Sequence, residues 1–395
     1  MELTRKQEQA LAIALHKYRN HEPYTVVAGY AGTGKSTLVR FIIAALDLLP
    51  HDVTYVAYTG KAAQVLRSKG CANATTAHRL LYKSIRQADG SFKHFPKREL
   101  DQTYKLIVVD EVSMLPKKMW DLLLSHGVHV IACGDPGQLP PVDKDQDNHV
   151  LEHPDIFLDE IMRQAADNDI IRLSMDVREG RAISAFKGKD ANVVRRHELC
   201  DGMLQWADQV ICGKNATRRS LNNHFRELVW GKDVETAPLI GDKIICLKND
   251  WDHVTEVGDA LVNGMTGELT KIATRPDDFL GKMCFMDFMP EGADDNDLLD
   301  CAFHSLITDW KLITTGVPTI TKENYRTLPW FIKKMKLQQF DYGYAITCWK
   351  AQGSEFGKVT FLAENVGFMS REEYAKYLYT GITRASEKLT LILPT

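Results

Sequence analysis

The sequence predicts an α/β fold built on parallel sheets, and three observations lead to that expectation. A buried strand over 24–28 runs into a glycine-rich turn and then a helix over 35–46. Further apolar, β-rich runs at 53–57, 106–109 and 128–133 are separated by helical or turn-rich stretches, as in strands joined by crossover helices. The chain has 395 residues, more than one core usually fills, so two or three domains are expected.

The pattern divides the chain into two lobes with an insertion. Residues 1–165 form the first lobe, from which a polar, basic hairpin at about 83–105 projects. Residues 166–240 and 339–395 form the second lobe. Between them, residues 241–338 are β-like and rich in turns, which predicts an inserted β-domain. The second lobe should contain strands at 209–212, 359–362 and 389–393 and helices at 218–230 and 370–383.

Composition narrows the class of protein. The chain is 44% hydrophobic and 26% charged, and no apolar run of about 18 residues could span a bilayer. Residues 1–9 carry charges and have no apolar core of the signal-peptide type, which predicts a cytoplasmic protein. Eight cysteines stand singly, so we expect them in cores within a reducing compartment.

Charged residues are grouped in blocks along the chain, and the net charge of −3 argues neither for nor against a nucleic-acid partner. Residues 214–232 and 322–336 each hold five basic residues against one glutamate, whereas 287–300 holds six acids and no base. These blocks are either surfaces that contact a charged partner or ordinary solvated faces.

A phosphate-binding loop is the clearest local motif. Residues 29–36 read Gly-Tyr-Ala-Gly-Thr-Gly-Lys-Ser and fit G-x-x-x-x-G-K-S, with a strand before and a helix after. Backbone N–H groups should curl around the β-phosphate, Lys35 should reach the β- and γ-phosphates, and Ser36 should hold Mg²⁺. The alternative is a chance glycine-rich turn. The residues expected to hold the nucleotide here are Gly29, Gly32, Thr33, Gly34, Lys35, Ser36 and Thr37.

Two adjacent carboxylates end the apolar run at 106–109. Asp110 is placed to bind the metal and Glu111 to prepare the attacking water, although the pair could merely cap the next turn.

Transfer of a γ-phosphoryl group also needs a cation to stabilise its transition state, and arginine serves well. Arg163 and Arg384 are the candidates, and physical reasoning alone does not distinguish them from surface arginines.

Read in order, the motifs resemble those of the superfamily 1 helicases, particularly the RecD-like and Dda-like branch. The resemblance depends on the order of the motifs along the chain. It covers nearly the full chain and is less specific over 165–340. Besides the loop, the row comprises Leu3-Thr4 with Gln7, Tyr58-Thr59-Gly60-Lys61-Ala62-Ala63, Thr75-Thr76-Ala77-His78-Arg79-Leu80, Asp110-Glu111-Val112-Ser113-Met114, Gly134-Asp135-Pro136-Gly137-Gln138, Thr347-Cys348-Trp349-Lys350-Ala351-Gln352-Gly353-Ser354-Glu355 and Tyr379-Thr380-Gly381-Ile382-Thr383-Arg384.

The resemblance implies two RecA-like lobes with ATP and Mg²⁺ in the cleft between them. By position, Gln7 looks like the adenine-reading residue, Gln138 like the sensor that joins the γ-phosphate to the strand-binding surface, and Glu355 like a residue near the ribose. Arg163 and Arg384 match the two arginines directed at the γ-phosphate. The residues in motifs that meet the nucleic-acid backbone are Thr59, Lys61, His78, Thr347 and Lys350.

The same resemblance makes the hairpin at 83–105 a pin that splits the duplex, braced by an SH3-like insert. Phe92 and Phe95 would abut the terminal base pair, or they would anchor the hairpin onto its own lobe. Trp349 departs from the family pattern; it could stack on a base, but we expect it to fill core.

The implied function is an ATP-dependent DNA helicase that translocates 5′-to-3′ on single-stranded DNA and unwinds duplexes in replication, recombination or repair. Its expected partners are single-stranded DNA, single/double-strand junctions and a single-strand-binding or replisome protein, in the cytoplasm of a bacterium or a phage-infected host. Two alternatives stay open: an RNA-directed helicase, and a subunit that clamps nucleic acid within a recombination or nuclease complex.

Overall fold

The computed structural model describes residues 3–86, 92–140, 148–161, 167–255, 260–291, 301–321, 323–324, 326–327, 329–367 and 369–394. The chain forms two compact units. Unit 1 comprises residues 1–83, 96–214 and 346–395, and unit 2 comprises 84–95 and 215–345. No helix in the described part of the chain is long and apolar enough to cross a bilayer.

The first 160 residues alternate strands with helices. The elements are α1 Arg5–Arg19, β1 Tyr24–Gly29, α2 Lys35–Ala45, β2 Val53–Ala57, α3 Gly60–Ser68, β3 Ala74–Thr76, α4 Ala77–Leu81, β4 Tyr82–Arg86, β5 Phe92–Pro96, β6 Leu106–Val109, α5 Lys117–Leu124, β7 His129–Gly134 and β8 Ile156–Leu158. Six strands form a parallel sheet in the order β3-β2-β6-β7-β1-β8. Every residue of β6 and β7 is buried, as expected where helices cover both faces of a parallel sheet.

The rest of the chain contributes the remaining elements. They are α6 Asp169–Arg178, β9 Phe186–Lys187, β10 Ala191–Arg195, α7 Asp201–Gln205, β11 Gln209–Cys212, α8 Asn215–Trp230, β12 Lys243–Cys246, β13 Asp250–Val254, β14 Ala260–Leu261, β15 Thr266–Asp277, β16 Gly281–Pro290, β17 Phe303–Thr308, α9 Trp310–Thr315, α10 Trp330–Lys334, β18 Phe340–Tyr342, β19 Ala345–Thr347, β20 Phe356–Leu362, α11 Arg371–Ile382 and β21 Ala385–Leu393.

A second six-stranded sheet completes unit 1, in the order β19-β11-β20-β21-β10-β9. The pairs β11–β20, β20–β21 and β21–β10 are parallel, and β9 runs antiparallel to β10. Helix α11 starts in a capping box, because the Ser370 hydroxyl accepts from the Glu373 N–H while the Glu373 carboxylate accepts from the Ser370 N–H. Unit 1 therefore contains one parallel sheet and one mainly parallel sheet, as the predicted α/β class requires.

Unit 2 is built on an antiparallel sheet in the order β17-β16-β15-β12-β18. Its core includes Leu269, Met286, Phe288, Leu306 and Phe340. We expected the second lobe to resume at residue 339, but β18 pairs with β12, so residues 340–342 complete this sheet instead.

The structure also assigns α8 and the hairpin differently from the sequence. Both were expected in the lobes, and both fall in unit 2. In α8, Arg226 donates to the Asp242 carboxylate and the Asn222 amide donates to the carbonyl of Tyr342, which ties the helix to the sheet. On the hairpin, residues 84–95 belong to unit 2, and burial and the positive charge of Lys336 lower the pKa of His94 there.

Candidate functional site

The loop between β1 and α2 has the backbone of a phosphate cradle. A Cβ at Gly29 would lie 2.8 Å from the Thr33 hydroxyl and 3.0 Å from the Leu158 carbonyl oxygen, so only glycine fits there. Gly34 has φ +83° and provides no side-chain cap for α2. The first N–H groups of the helix are consequently available to an anion, with the positive end of the helix dipole behind them.

Lys35 and Gln7 contact this loop. The Lys35 ammonium donates to the carbonyl oxygens of Gly29 at 2.6 Å and Tyr30 at 3.0 Å. The Gln7 side chain is buried; its Nε2 donates to the Thr33 carbonyl at 3.3 Å and its Oε1 accepts from the Thr4 N–H at 3.1 Å. Gln7 thus lies against the loop, with its amide bonded to protein atoms, and adenine reading stays a prediction.

Asp110 and Glu111 follow β6 directly, as the sequence indicates. Burial and the adjacent charge of Glu111 raise the pKa of Asp110. Glu111 itself has φ +51°, a left-handed conformation that costs a non-glycine residue free energy and is concentrated at functional sites. Its carboxylate accepts from the Gln138 amide at 3.2 Å, which joins two of the predicted site residues.

A carboxylate that we did not single out, Asp135, connects this part of the site to α11. Its Oδ2 accepts from the Tyr379 hydroxyl at 2.6 Å, and burial raises the pKa of Asp135. The Tyr379 oxygen in turn accepts from the Ala31 N–H of the phosphate loop at 2.8 Å. Asp135 follows a buried strand, as Asp110 does. Its position directly after an apolar run is the sequence signal that could have identified it as a site residue.

The second sheet contributes Arg384 to the same pocket. Arg384 is buried, and its guanidinium donates to the carbonyls of Ser354 at 2.9 Å and Thr380 at 3.1 Å. Glu355 pairs with Lys69 at 2.7 Å, a cation that no motif indicated. The residues that line the pocket are Ala31, Lys35, Ser36, Ala62, Val65, Leu66, Lys69, Asp110, Glu111, Asp135, Gln138, Gly353, Ser354, Glu355, Thr383 and Arg384.

Two predicted nucleotide-site residues remain to be placed. Thr37 lies half-buried in the first turn of α2. Arg163 lies outside the described residues. The described structure therefore brings one of the two candidate arginines, Arg384, into the pocket.

The residues predicted to meet a nucleic-acid backbone follow strand ends in unit 1. The Thr59 hydroxyl accepts from the Ala62 N–H and caps α3. The side chain of Lys61 lies outside the described residues, although its backbone is in α3. His78 is buried and stacks on the Tyr82 ring at 4.8 Å. These positions make local contacts within the protein, and the nucleic-acid role stays a prediction.

In the later motif, over 347–355, the two residues predicted to meet the nucleic-acid backbone are also wholly or partly buried in the protein. Thr347 is buried at the end of β19, and Lys350 lies half-buried in the turn that follows. Trp349 stacks on Tyr377 at 5.7 Å, which agrees with the expectation that it packs. On the hairpin, the Phe95 side chain is 48% exposed, and the Phe92 side chain lies outside the described residues.

Comparisons with known proteins match both ends of the chain. Residues 2–198 match the AAA domain model, and residues 342–392 match the UvrD-like helicase C-terminal domain. The chain is 28% identical to the ATP-dependent RecD2 DNA helicase of Deinococcus radiodurans, over 92% of this chain and 46% of that protein. It is 29% identical to the ATP-dependent DNA helicase dda of Enterobacteria phage T4, over 46% of this chain and 43% of that protein.

Among solved structures, the crystal structure of Bacteroides Pif1 bound to ssDNA aligns with a TM-score of 0.48 at 17% identity, over 99% of this chain and 92% of that chain. The matched regions cover less than half of each of the two curated relatives named above.

Proposed function

We infer that this chain, which belongs to the RecD and Pif1 branch of the superfamily 1 helicases, uses ATP hydrolysis to move along single-stranded DNA and to separate duplex DNA. One observation carries the inference. The pocket that holds the phosphate loop is lined both by Glu111 and Gln138 from the first part of unit 1 and by Arg384 from the second. A nucleotide bound there would contact both parts of unit 1, so that its hydrolysis would act on both.

Each side chain has a distinct task in this reaction. Lys35 and the first N–H groups of α2 bind the phosphates. Glu111 accepts the proton of the attacking water, and Gln138, which is bonded to Glu111, orients that carboxylate and senses the γ-phosphate. Arg384 stabilises the charge that develops on the γ-phosphoryl group. Glu355 lies at the pocket wall beside Gly353, where the ribose is expected.

The residues present also fit Mg²⁺. Ser36 and Asp110 both line the pocket and offer the oxygen ligands that this cation prefers. Asp110 is a half-buried carboxylate beside a second carboxylate, an arrangement whose repulsion a cation relieves. When bound, the ion neutralises phosphate charge.

We further propose that the strand follows Thr59, Lys61, His78, Thr347 and Lys350, and that Phe92 and Phe95 on the hairpin abut the terminal base pair. The 5′-to-3′ direction is proposed by analogy with the RecD and Dda relatives. The proposed domain roles are two motor lobes at 1–165 and at 166–240 with 339–395, and an SH3-like brace at 241–338. These bounds are adjusted because residues 84–95, α8 and residues 340–342 lie in unit 2.

Protein partners and location form a separate proposal. The named curated relatives come from a bacterium and a bacteriophage. We therefore propose that the chain acts in a bacterial or phage-infected cytoplasm beside a single-strand-binding or replisome protein. Co-purification of such a protein with the tagged chain from its native cells, surviving nuclease treatment, would support the partner; its absence after nuclease would contradict direct binding.

A strand-displacement assay tests the main proposal. Duplexes with a single 5′ tail, a single 3′ tail or both are incubated with ATP and Mg²⁺, and matched DNA and RNA strands are compared as stimulators of ATPase activity. The proposal expects displacement from the 5′-tailed and forked DNA substrates alone. Displacement from the 3′-tailed duplex would overturn the direction. Stronger stimulation by RNA would favour the RNA-directed alternative, and stimulation without displacement would favour the clamping subunit.

A further inference from the structure

Three exposed aromatic side chains cluster in unit 2, outside every motif discussed above. Phe279 lies in the turn between β15 and β16, and Trp330 and Phe331 open α10. The Phe279 and Phe331 rings meet edge to face at 5.4 Å, and those of Trp330 and Phe331 at 6.4 Å. Trp330 is 69% exposed, Phe279 54% and Phe331 42%. We call these three residues the aromatic platform.

The backbone turn that carries Phe279 is fixed by hydrogen bonds. Asp277 Oδ1 accepts from the N–H groups of Phe279 at 3.0 Å and Leu280 at 2.8 Å, which fixes the turn. Gly281, at φ +70°, completes it in a conformation that other residues rarely adopt. Exposed rings that are ordered in advance lose little conformational entropy when they bind a partner.

The charge around the platform indicates the chemistry of that partner. Residues 322–336 contain five basic residues and one acidic residue, and Trp330 and Phe331 lie within this block. Aromatic rings within a basic segment of the sequence suit a polynucleotide, because any base can stack on a ring while its phosphates attract cations. A protein partner with an apolar surface would contact the rings but would have no need of the positive charge.

The platform segment also approaches the hairpin within unit 2. Lys336 follows α10 by two residues and pairs with Asp250 at 4.0 Å. Residues 84–95 of the hairpin belong to the same compact unit as this region. In agreement, the charges of Lys336 and Asp250 both act on the pKa of His94 in β5. If the hairpin splits the duplex, unpaired bases are released beside this surface.

We propose that Phe279, Trp330 and Phe331 stack on unpaired bases of the displaced strand at a fork. The inference rests on the proposed helicase function and adds to it a second strand-binding surface, on unit 2, separate from the strand path assigned to unit 1. Capture of the displaced strand there would hinder its return to the duplex.

The test compares affinities for two forks without ATP at one fixed salt concentration. Both have a 5′ tail on the loading strand, and one also has a 3′ tail of about 15 nucleotides on the displaced strand, within the range that single-strand sites cover. In the unmodified protein the displaced tail should lower the Kd for the fork roughly tenfold, because each base that stacks on an aromatic side chain strengthens binding.

Substitutions at Trp330 separate stacking from general apolar contact. Trp330→Leu, which keeps an apolar side chain without a planar ring, should abolish most of the gain from the tail, whereas Trp330→Phe should retain most of it. Trp206→Leu is the matched control, since Trp206 is an exposed tryptophan of unit 1. ATPase stimulation by plain single strands should be unchanged in all three variants.

Each other outcome overturns the inference. If Trp330→Leu keeps the full gain, the rings do not stack on the tail; if Trp206→Leu loses as much, the effect is not specific to the platform. If the unmodified protein shows strand-stimulated ATPase activity but no gain from the tail, this inference fails and the proposed function stands. If single strands do not stimulate ATPase activity at all, both fail.

Discussion

At the scale of single residues, Glu111 combines a strained backbone with a directed side chain. Its φ of +51° follows immediately after the buried strand β6, and its carboxylate accepts from Gln138. Such strain persists where the surroundings impose it. The two neighbouring carboxylates have different partners, because Glu111 accepts from the Gln138 amide and Asp110 accepts from the Glu111 N–H. The two carboxylates can therefore take different tasks.

Replacing Glu111 with glutamine should remove hydrolysis and leave ATP binding. The amide retains the shape of the side chain but cannot accept a proton, so kcat should fall roughly 10²- to 10⁴-fold. Turnover and nucleotide Kd are measured together, with the exposed Glu99→Gln as control. Normal turnover in Glu111→Gln would rule out its role as the base.

Arg384→Ala should lower kcat far more than nucleotide affinity. The charge of the guanidinium matters most in the transition state, where an arginine contributes about 10³ or more in rate. Because Arg384 also bonds the carbonyls of Ser354 and Thr380, the loss could reflect local unfolding. Arg384→Lys retains the charge and serves as control, and denaturant unfolding of both variants detects lost stability. Equal losses in kcat and affinity would contradict the assignment.

At the scale of elements, the hairpin β4–β5 is closed at its base within unit 1, where the Lys97 N–H donates to the Leu81 carbonyl at 2.8 Å. Farther along the strands, residues 84–95 belong to unit 2. The base therefore offers a place to shorten the hairpin without opening the parallel sheet.

Replacing residues 84–95 with a short Gly-Ser turn should abolish unwinding and spare strand-stimulated ATPase activity, since none of the hairpin residues that the structure describes lines the nucleotide pocket. Strand displacement and ATPase rates are measured on the same preparation. Phe95→Ala, which removes one exposed ring, should reduce displacement less than the deletion does. Unwinding that survives the deletion would remove the pin from the mechanism.

At the scale of the whole molecule, His129 makes the stability of unit 1 depend on pH. Its Nδ1 donates to the Glu22 carbonyl at 2.7 Å, and its Nε2 shares a hydrogen bond of 3.0 Å with the Thr25 hydroxyl, so both nitrogens of the neutral ring have partners. Burial lowers the pKa of His129. Its contribution to stability is therefore present above the unfolded pKa near 6.5 and is lost as the pH falls below it.

Urea unfolding at pH 7.5 and pH 5.5 should show lower stability at the acidic pH. The decrease should be smaller in His129→Gln, which keeps a donor and an acceptor but does not titrate. His126 and His94, whose pKa values burial also lowers, contribute equally to both proteins. An identical decrease in both would show that His129 does not control this dependence.

The sequence alone determined the features that depend on local patterns. The strands at 53–57, 106–109 and 209–212 have the predicted bounds, because a short apolar run between turns contains its own signal. The phosphate loop and the Asp110–Glu111 pair were equally readable, since their chemistry depends on residues that adjoin one another. The order of motifs indicated the family.

Only the tertiary structure decided how distant residues meet. It placed Arg384 in the pocket with Glu111, added Asp135, Lys69 and Tyr379, and moved β18 and the hairpin into unit 2. The physical reason is that local periodicity specifies which face of an element is buried but not which remote element covers it. The aromatic platform has the same origin, because Phe279 and Phe331 become neighbours only when the β15–β16 turn and α10 pack together.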